Sequence, residues 1–139
     1  MEIYFHSEDL DFELQNNQEV ITWINNTAES EDYVVDTINY IFCSDKYLLE
    51  VNQKYLNHDY YTDIITFDYN EENRIIGDLF ISIERVKDYA EKNQINFKDE
   101  LNRVMIHGVL HLCGYPDKSE EEAKLMRSKE DFYLNLRKF

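Results

Sequence analysis

With 139 residues, 43% of them hydrophobic and 14% aromatic, the chain can build one domain (residues 1–139) around its own core, which excludes disorder. No apolar run approaches the ~20 residues of a membrane helix, no secretory leader opens the chain, and Cys43 and Cys113 are too few for a disulfide framework, so a soluble, intracellular protein is expected. The net charge of −15 is uneven: residues 1–45 hold eleven acids and no Lys or Arg, reading as solvated surface, while 101–139 hold seven cations against six acids and alone can present a neutral or basic face to phosphate.

Ile3–His6 reads as a short strand. Asn17 is expected to cap a helix reaching about Ser30, with Val20, Ile21, Ile24 and Ala28 at helical spacing. Val34–Cys43, rich in β-branched and aromatic residues, predicts a second strand. Ser44 or Asp45 caps a helix that ends near Asn57 and gathers Tyr47, Leu48, Val51 and Tyr55 on one face. Asp63–Tyr69 and Ile75–Ile83 flank the polar turn Asn70–Asn73 as a hairpin. Glu84–Asn93 is helical. A long helix opens at Asn96 or Phe97 and runs to about Leu112, and Gly114 fits the position just past its end, where positive φ is cheap only for glycine. Ser119 and Glu122 match a capping box for a last helix reaching about Arg137. Four strands with about five helices argue an α+β fold with a small mixed sheet. Only three glycines are present, so no phosphate-binding loop exists and nucleotide-binding folds are excluded.

The informative segment is His107-Gly-Val-Leu-His111-Leu-Cys-Gly114-Tyr-Pro-Asp117. Histidines four apart on a helix project from one face, about one turn apart, which is how metallohydrolases offer two nitrogens to one zinc ion. Gly114 and Tyr115-Pro116 stop the helix, so Asp117, six residues after His111, can return a carboxylate to the same ion. Two of the three glycines and the only proline fall within these eleven residues. The spacing parallels the extended zinc motif of metzincin peptidases. The histidine pair alone is equally compatible with two hydrogen-bonded core side chains; the helix break and the spaced carboxylate decide for metal. Cys113 reads as core, and His6 and His58 as surface or strand-end residues. Where H-E-x-x-H peptidases carry a glutamate base, this chain has Gly108, so a simple zinc-peptidase mechanism lacks its proton acceptor.

These residues resemble the YbeY endoribonucleases, or rRNA maturation factors. The family signature H-G-x-L-H-L-x-G-Y-D-H is matched from His107 to Tyr115, and Glu122-Ala123 and Met126 resemble the Glu-Ala and Met that follow it. Asn52, Tyr55, Asp59 and Thr62-Asp63-Ile64-Ile65-Thr66-Phe67 resemble the segment L-N-x-x-Y-R-x-x-D-x-x-T-D-V-L-S-F, and Gly77-Asp78-Leu79-Phe80-Ile81 resembles the strand G-D-I-x-I. The resemblance spans residues 50–127. It implies a zincin-like α+β fold, one Zn²⁺ held by three side chains in an open cleft, cleavage of single-stranded RNA, a role in 16S rRNA 3′-end maturation and ribosome quality control, and a cytoplasmic location.

Two positions depart from the family. Its third ligand is usually histidine; Asp117 stands here and still ligates zinc through oxygen, but lowers the site's net charge from +2 to +1, so weaker acidification of bound water and more tolerance of harder metals are expected. Leu56 replaces an arginine thought important for activity; Arg103, one turn before His107, and Lys118, beside Asp117, are the candidate substrate-binding cations in its place. The expected mechanism is metal-assisted phosphodiester hydrolysis at His107, His111 and Asp117. No general base is assigned. Asp63 and Asp78 could face the site, but a backbone-capping role is favoured for both. The alternatives are a peptidase-like zinc hydrolase and a non-catalytic, metal-stabilised assembly factor whose partners are rRNA of the small ribosomal subunit, a ribosomal protein or an assembly GTPase; no membrane partner is expected.

Overall fold

A computed structural model describes residues 2–139. In chain order it contains β1 (Glu2–Ser7), α1 (Asn17–Ser30), β2 (Val34–Cys43), α2 (Asp45–Leu56), β3 (Ile64–Asp68), β4 (Arg74–Ser82), α3 (Ile83–Lys92), α4 (Phe97–Leu112) and α5 (Glu120–Leu134). The sheet order is β1-β2-β4-β3. β1, β2 and β4 are parallel, and β3 closes the sheet as an antiparallel edge strand against β4. The fold is therefore the expected mixed α+β arrangement.

Alternation along the strands separates two apolar layers. Ile38, Tyr40 and Phe42 of β2 and Ile75, Leu79 and Ile81 of β4 are essentially inaccessible and join Val104, Met105, Val109 and Leu112 of α4 in the main core. On the other face α2 covers a smaller cluster of Leu48, Val51 and Ile65, with Phe67 and Phe80 packed against it. The polar residues His6, Asn39 and Asp78 bond in series, His6 Nε2 to Asn39 Oδ1 at 3.1 Å and Asn39 Nδ2 to Asp78 Oδ1 at 3.2 Å. Asp78 alternates with the core-facing Gly77 and Leu79, so it lies on the sheet face away from α4 and does not border the histidine pair.

Most helix ends follow local chemistry. Ser44, Asn96 and Ser119 accept backbone N–H bonds as N-caps, and Ser119 and Glu122 complete the capping box. At α1, Asn17 is the first helical residue; the cap is Asn16, left-handed at φ 59° with no side-chain bond to the helix. Left-handed backbone at Asn is tolerated because its short polar side chain compensates locally.

α4 ends in the arrangement that builds the site. The N–H of Tyr115 bonds to the Leu110 carbonyl at 3.1 Å and that of Gly114 to His111 at 3.0 Å, a Schellman motif. Gly114 sits at φ +96°, which a β-carbon would strain. Asn70 ties the β3–β4 turn to this end: its Nδ2 donates to the Leu112 carbonyl at 2.7 Å and its Oδ1 accepts from the Ile76 N–H at 3.0 Å. Edge strand β3, the end of α4 and the loop after it thereby form one fixed corner. Among the described residues no helix is long and apolar enough to cross a membrane.

Candidate metal centre

The two histidines leave α4 on one face, with ring centroids 4.5 Å apart and planes near perpendicular. The returning loop brings Asp117 Oδ2 to 3.2 Å from His107 Nε2 and 3.3 Å from His111 Nε2. Ligands 2.0–2.1 Å from a tetrahedral ion stand about 3.3 Å apart. Both distances to Asp117 match that edge length, and with all three ligand atoms within 4.8 Å of one another the side chains can hold one metal ion.

Hydrogen bonding on the far side of each ring fixes what faces the centre. His111 Nδ1 lies 2.8 Å from the Tyr115 carbonyl, which can only accept, so Nδ1 carries the proton and Nε2 is left as a lone pair. His107 Nδ1 lies 2.6 Å from Glu130 Oε2, while Glu130 Oε1 accepts from Arg103 Nη1 at 2.9 Å. With both rings neutral, two nitrogen lone pairs and a carboxylate oxygen converge. Such a cluster is repulsive unless extra protons or one cation sit at its centre. Outer partners of this kind fix tautomer and ring orientation at metal sites. Burial pulls the His107 pKa down, but the bond and charge of Glu130, with Asp117 and Asp63, outweigh it and leave the ring more basic than usual.

Asp63, immediately before β3, borders both sides of the centre. Burial pushes its carboxyl above the usual range, opposed by the charge of His107. Of the two aspartates weighed as bases, it alone is near the ligands. Arg103 borders the cleft, but its guanidinium also bonds Asp131 Oδ1 at 2.6 Å. Lys118 is exposed beside Asp117. His58 is exposed, as expected, and also borders the cleft. Cys113 is buried, its thiol pushed up to about 12 by burial, and is core as expected.

Gly108 explains the missing peptidase glutamate. A β-carbon there would meet Ile64 Cδ1 at 2.9 Å and Leu79 Cδ2 at 3.0 Å, so the position packs on the sheet and cannot carry a base. Sequence reasoning missed Glu130, although a signal existed: Met126, Glu130 and Tyr133 are the buried residues of α5, and a carboxylate in an apolar stripe requires a partner.

A histidine pair on the helix behind an open cleft, with a carboxylate from the following loop, defines a metal-dependent hydrolase. The model of the family "Endoribonuclease YbeY" matches residues 2–138. Proteins named Endoribonuclease YbeY are 54% identical in Cytophaga hutchinsonii, over 99% of this chain and 96% of that protein, and 46% identical in Bacteroides fragilis, over 99% of both. The solution structure of TM1509 from Thermotoga maritima superposes with a TM-score of 0.68 at 26% identity, over 96% of this chain and 87% of that one. The chain belongs to the YbeY endoribonuclease family, nucleases that hydrolyse RNA phosphodiester bonds in rRNA maturation.

Proposed function

We propose that this chain, acting as one domain over residues 1–139, is a zinc-dependent endoribonuclease that cuts single-stranded RNA at the 3′ end of small-subunit rRNA in the cytoplasm. The observation that carries the reading is the convergence of His107 Nε2, His111 Nε2 and Asp117 Oδ2 within 4.8 Å of one another. Two imidazoles and one carboxylate suit zinc, and three protein ligands leave room for a fourth. When bound, the metal supplies Lewis acidity, acidifying water and polarising a phosphoryl oxygen.

The chain's own residues do the rest. Glu130 and the Tyr115 carbonyl hold the two rings with their lone pairs inward. Asp63, close to the ligands and with a raised pKa, is placed to hold a proton at its carboxylate beside the scissile phosphate. Lys118 is free to meet a phosphate at the mouth. Arg103 borders the cleft but spends two N–H groups on Glu130 and Asp131. The test is cleavage of single-stranded rRNA by purified protein together with elemental analysis. His111→Ala should lose both the metal and the cleavage. Cleavage that persists unchanged in that variant marks a contaminating nuclease and refutes the reading.

A further inference from the structure

The cleft around the three ligands has two arms of different chemistry. One arm, about 590 Å³, runs between α4 and α5 and carries the cations Arg103, Lys124 and Arg127, each paired with a carboxylate of the same lining, Glu130 or Glu120. The other, about 440 Å³, runs along β3 and the loop after α2. No Lys or Arg among the described residues borders it, and its carboxylates are Asp63, Asp68 and Asp117. A phosphate drawn into this second arm would meet like charge. What the arm offers instead is ring surface.

Tyr60 borders it and is 55% exposed. Its ring stacks on His58, centroids 5.2 Å apart and planes 22° apart, with the Tyr60 hydroxyl 3.1 Å from His58 Nδ1. The loop bearing the pair is anchored. Buried Asn52 donates its Nδ2 to the Tyr60 carbonyl at 2.9 Å and accepts the His58 N–H on its own carbonyl at 3.1 Å. Tyr55 and Tyr61 are also exposed, but Lys54 and Arg85 lie over their rings at 5.2 and 5.1 Å. Among the described residues no cation lies over Tyr60, and the ring is exposed along the border of the cleft. Bases of single-stranded nucleic acid bind such faces by stacking, with little regard to sequence.

We propose that the His58–Tyr60 stack is a nucleobase platform: one base of the single-stranded substrate lies on it. The assignment rests on the endoribonuclease reading and adds to it which side of the cleft takes the bases.

The experiment compares steady-state cleavage of a short single-stranded RNA by the metal-loaded wild type, Tyr60→Ala, Tyr60→Phe and Tyr60→Leu, with metal content measured for each. Stacking of one base corresponds to a loss of about fivefold or more. Tyr60→Ala should raise KM by that factor at full metal content, with the loss falling on KM rather than kcat. Tyr60→Phe should restore affinity and Tyr60→Leu should not, because the ring face rather than apolar bulk is required. An abasic residue walked along the substrate should, at one position, raise the wild-type KM equally, and the two losses should not add. A KM for Tyr60→Ala within twofold of wild type, rescue by Leu equal to that by Phe, or metal loss in the Ala variant would each overturn the platform. Wild type that fails to cleave RNA would instead sink the underlying endoribonuclease reading.

Discussion

Glu130→Gln isolates the support of the site from its ligands. The amide preserves volume and can still accept one hydrogen bond, but it removes the charge that His107 Nδ1 and Arg103 Nη1 share at 2.6 and 2.9 Å. Glu130 is only 4% exposed, so solvent does not replace what is lost. Removing an outer-shell partner of a metal-bound histidine costs about 10- to 100-fold in metal affinity, equivalent to about 1.4–2.7 kcal/mol.

That loss has a thermal counterpart. A ligand that binds only the folded state stabilises it by RT ln(1 + [L]/Kd), so with zinc in excess the metal-induced stabilisation falls by the same amount. A chain of this length shifts by about 3–4 °C per kcal/mol, giving a metal-induced rise in Tm about 4–11 °C smaller than in the wild type. Competition with a chromophoric chelator measures affinity, and paired thermal scans with and without zinc measure the increment. A variant that keeps wild-type zinc affinity refutes the orienting role of Glu130. So does a variant whose Tm falls equally with and without metal, since that makes Glu130 a structural ion-pair partner only.

Three further outcomes are expected. Glu31 is half-buried at a junction where it accepts from Tyr115 Oη at 2.6 Å, from Tyr133 Oη and from Lys129 Nζ at 3.3 Å; burial pushes its pKa up, but these bonds outweigh burial and hold it below the usual glutamate value. Its stabilisation is therefore complete above the ordinary glutamate pKa and is lost as pH falls through the depressed native one, so Glu31→Gln should lower stability at neutral pH by about 1–3 kcal/mol, with a lower Tm, and converge with the wild type in acid; a constant gap across a pH series of thermal scans contradicts this. Gly108→Glu should give no peptidase activity in a peptide-library digest and a Tm lower by about 10 °C or more, because an unpaired charge would be forced against Ile64 and Leu79. Leu56→Arg, at a half-exposed position on the cation-free arm, should leave the dependence of KM on log[salt] unchanged, because this side takes a base rather than phosphates; a slope steeper by about 0.7, one added phosphate contact, means that the backbone does pass this side.

Local signals in this chain were legible where one residue settles the outcome. Asn96, Ser119 with Glu122, and Gly114 each mark an end that the backbone adopts, and the i,i+4 histidines needed only helical periodicity to meet. The α1 cap was misread by one residue because two asparagines are adjacent and the helix uses the left-handed backbone of Asn16 rather than a side-chain bond. Strand order was not legible, since parallel crossovers between β1, β2 and β4 depend on helices packing across the sheet. Asp78 was ambiguous for a related reason. Both faces of β4 are apolar, one meeting α4 and the other bearing Phe80 against the α2 cluster, so alternation does not say which face carries the aspartate.

The site also shows why its turn is concentrated in so few residues. The Schellman ending at Gly114 does two things with one backbone path: it aims the Tyr115 carbonyl at His111 Nδ1, which fixes that ring's tautomer, and it reverses the chain so that Asp117 reaches both Nε2 atoms. Tyr115 then spends its hydroxyl on Glu31 at the end of α1, and His107 draws its support from α5 through Glu130. Ligand geometry therefore depends on α1, α4 and α5 being packed together. A third ligand that is an aspartate gains from this arrangement, because its shorter side chain converges on the ion only if the loop itself is held close.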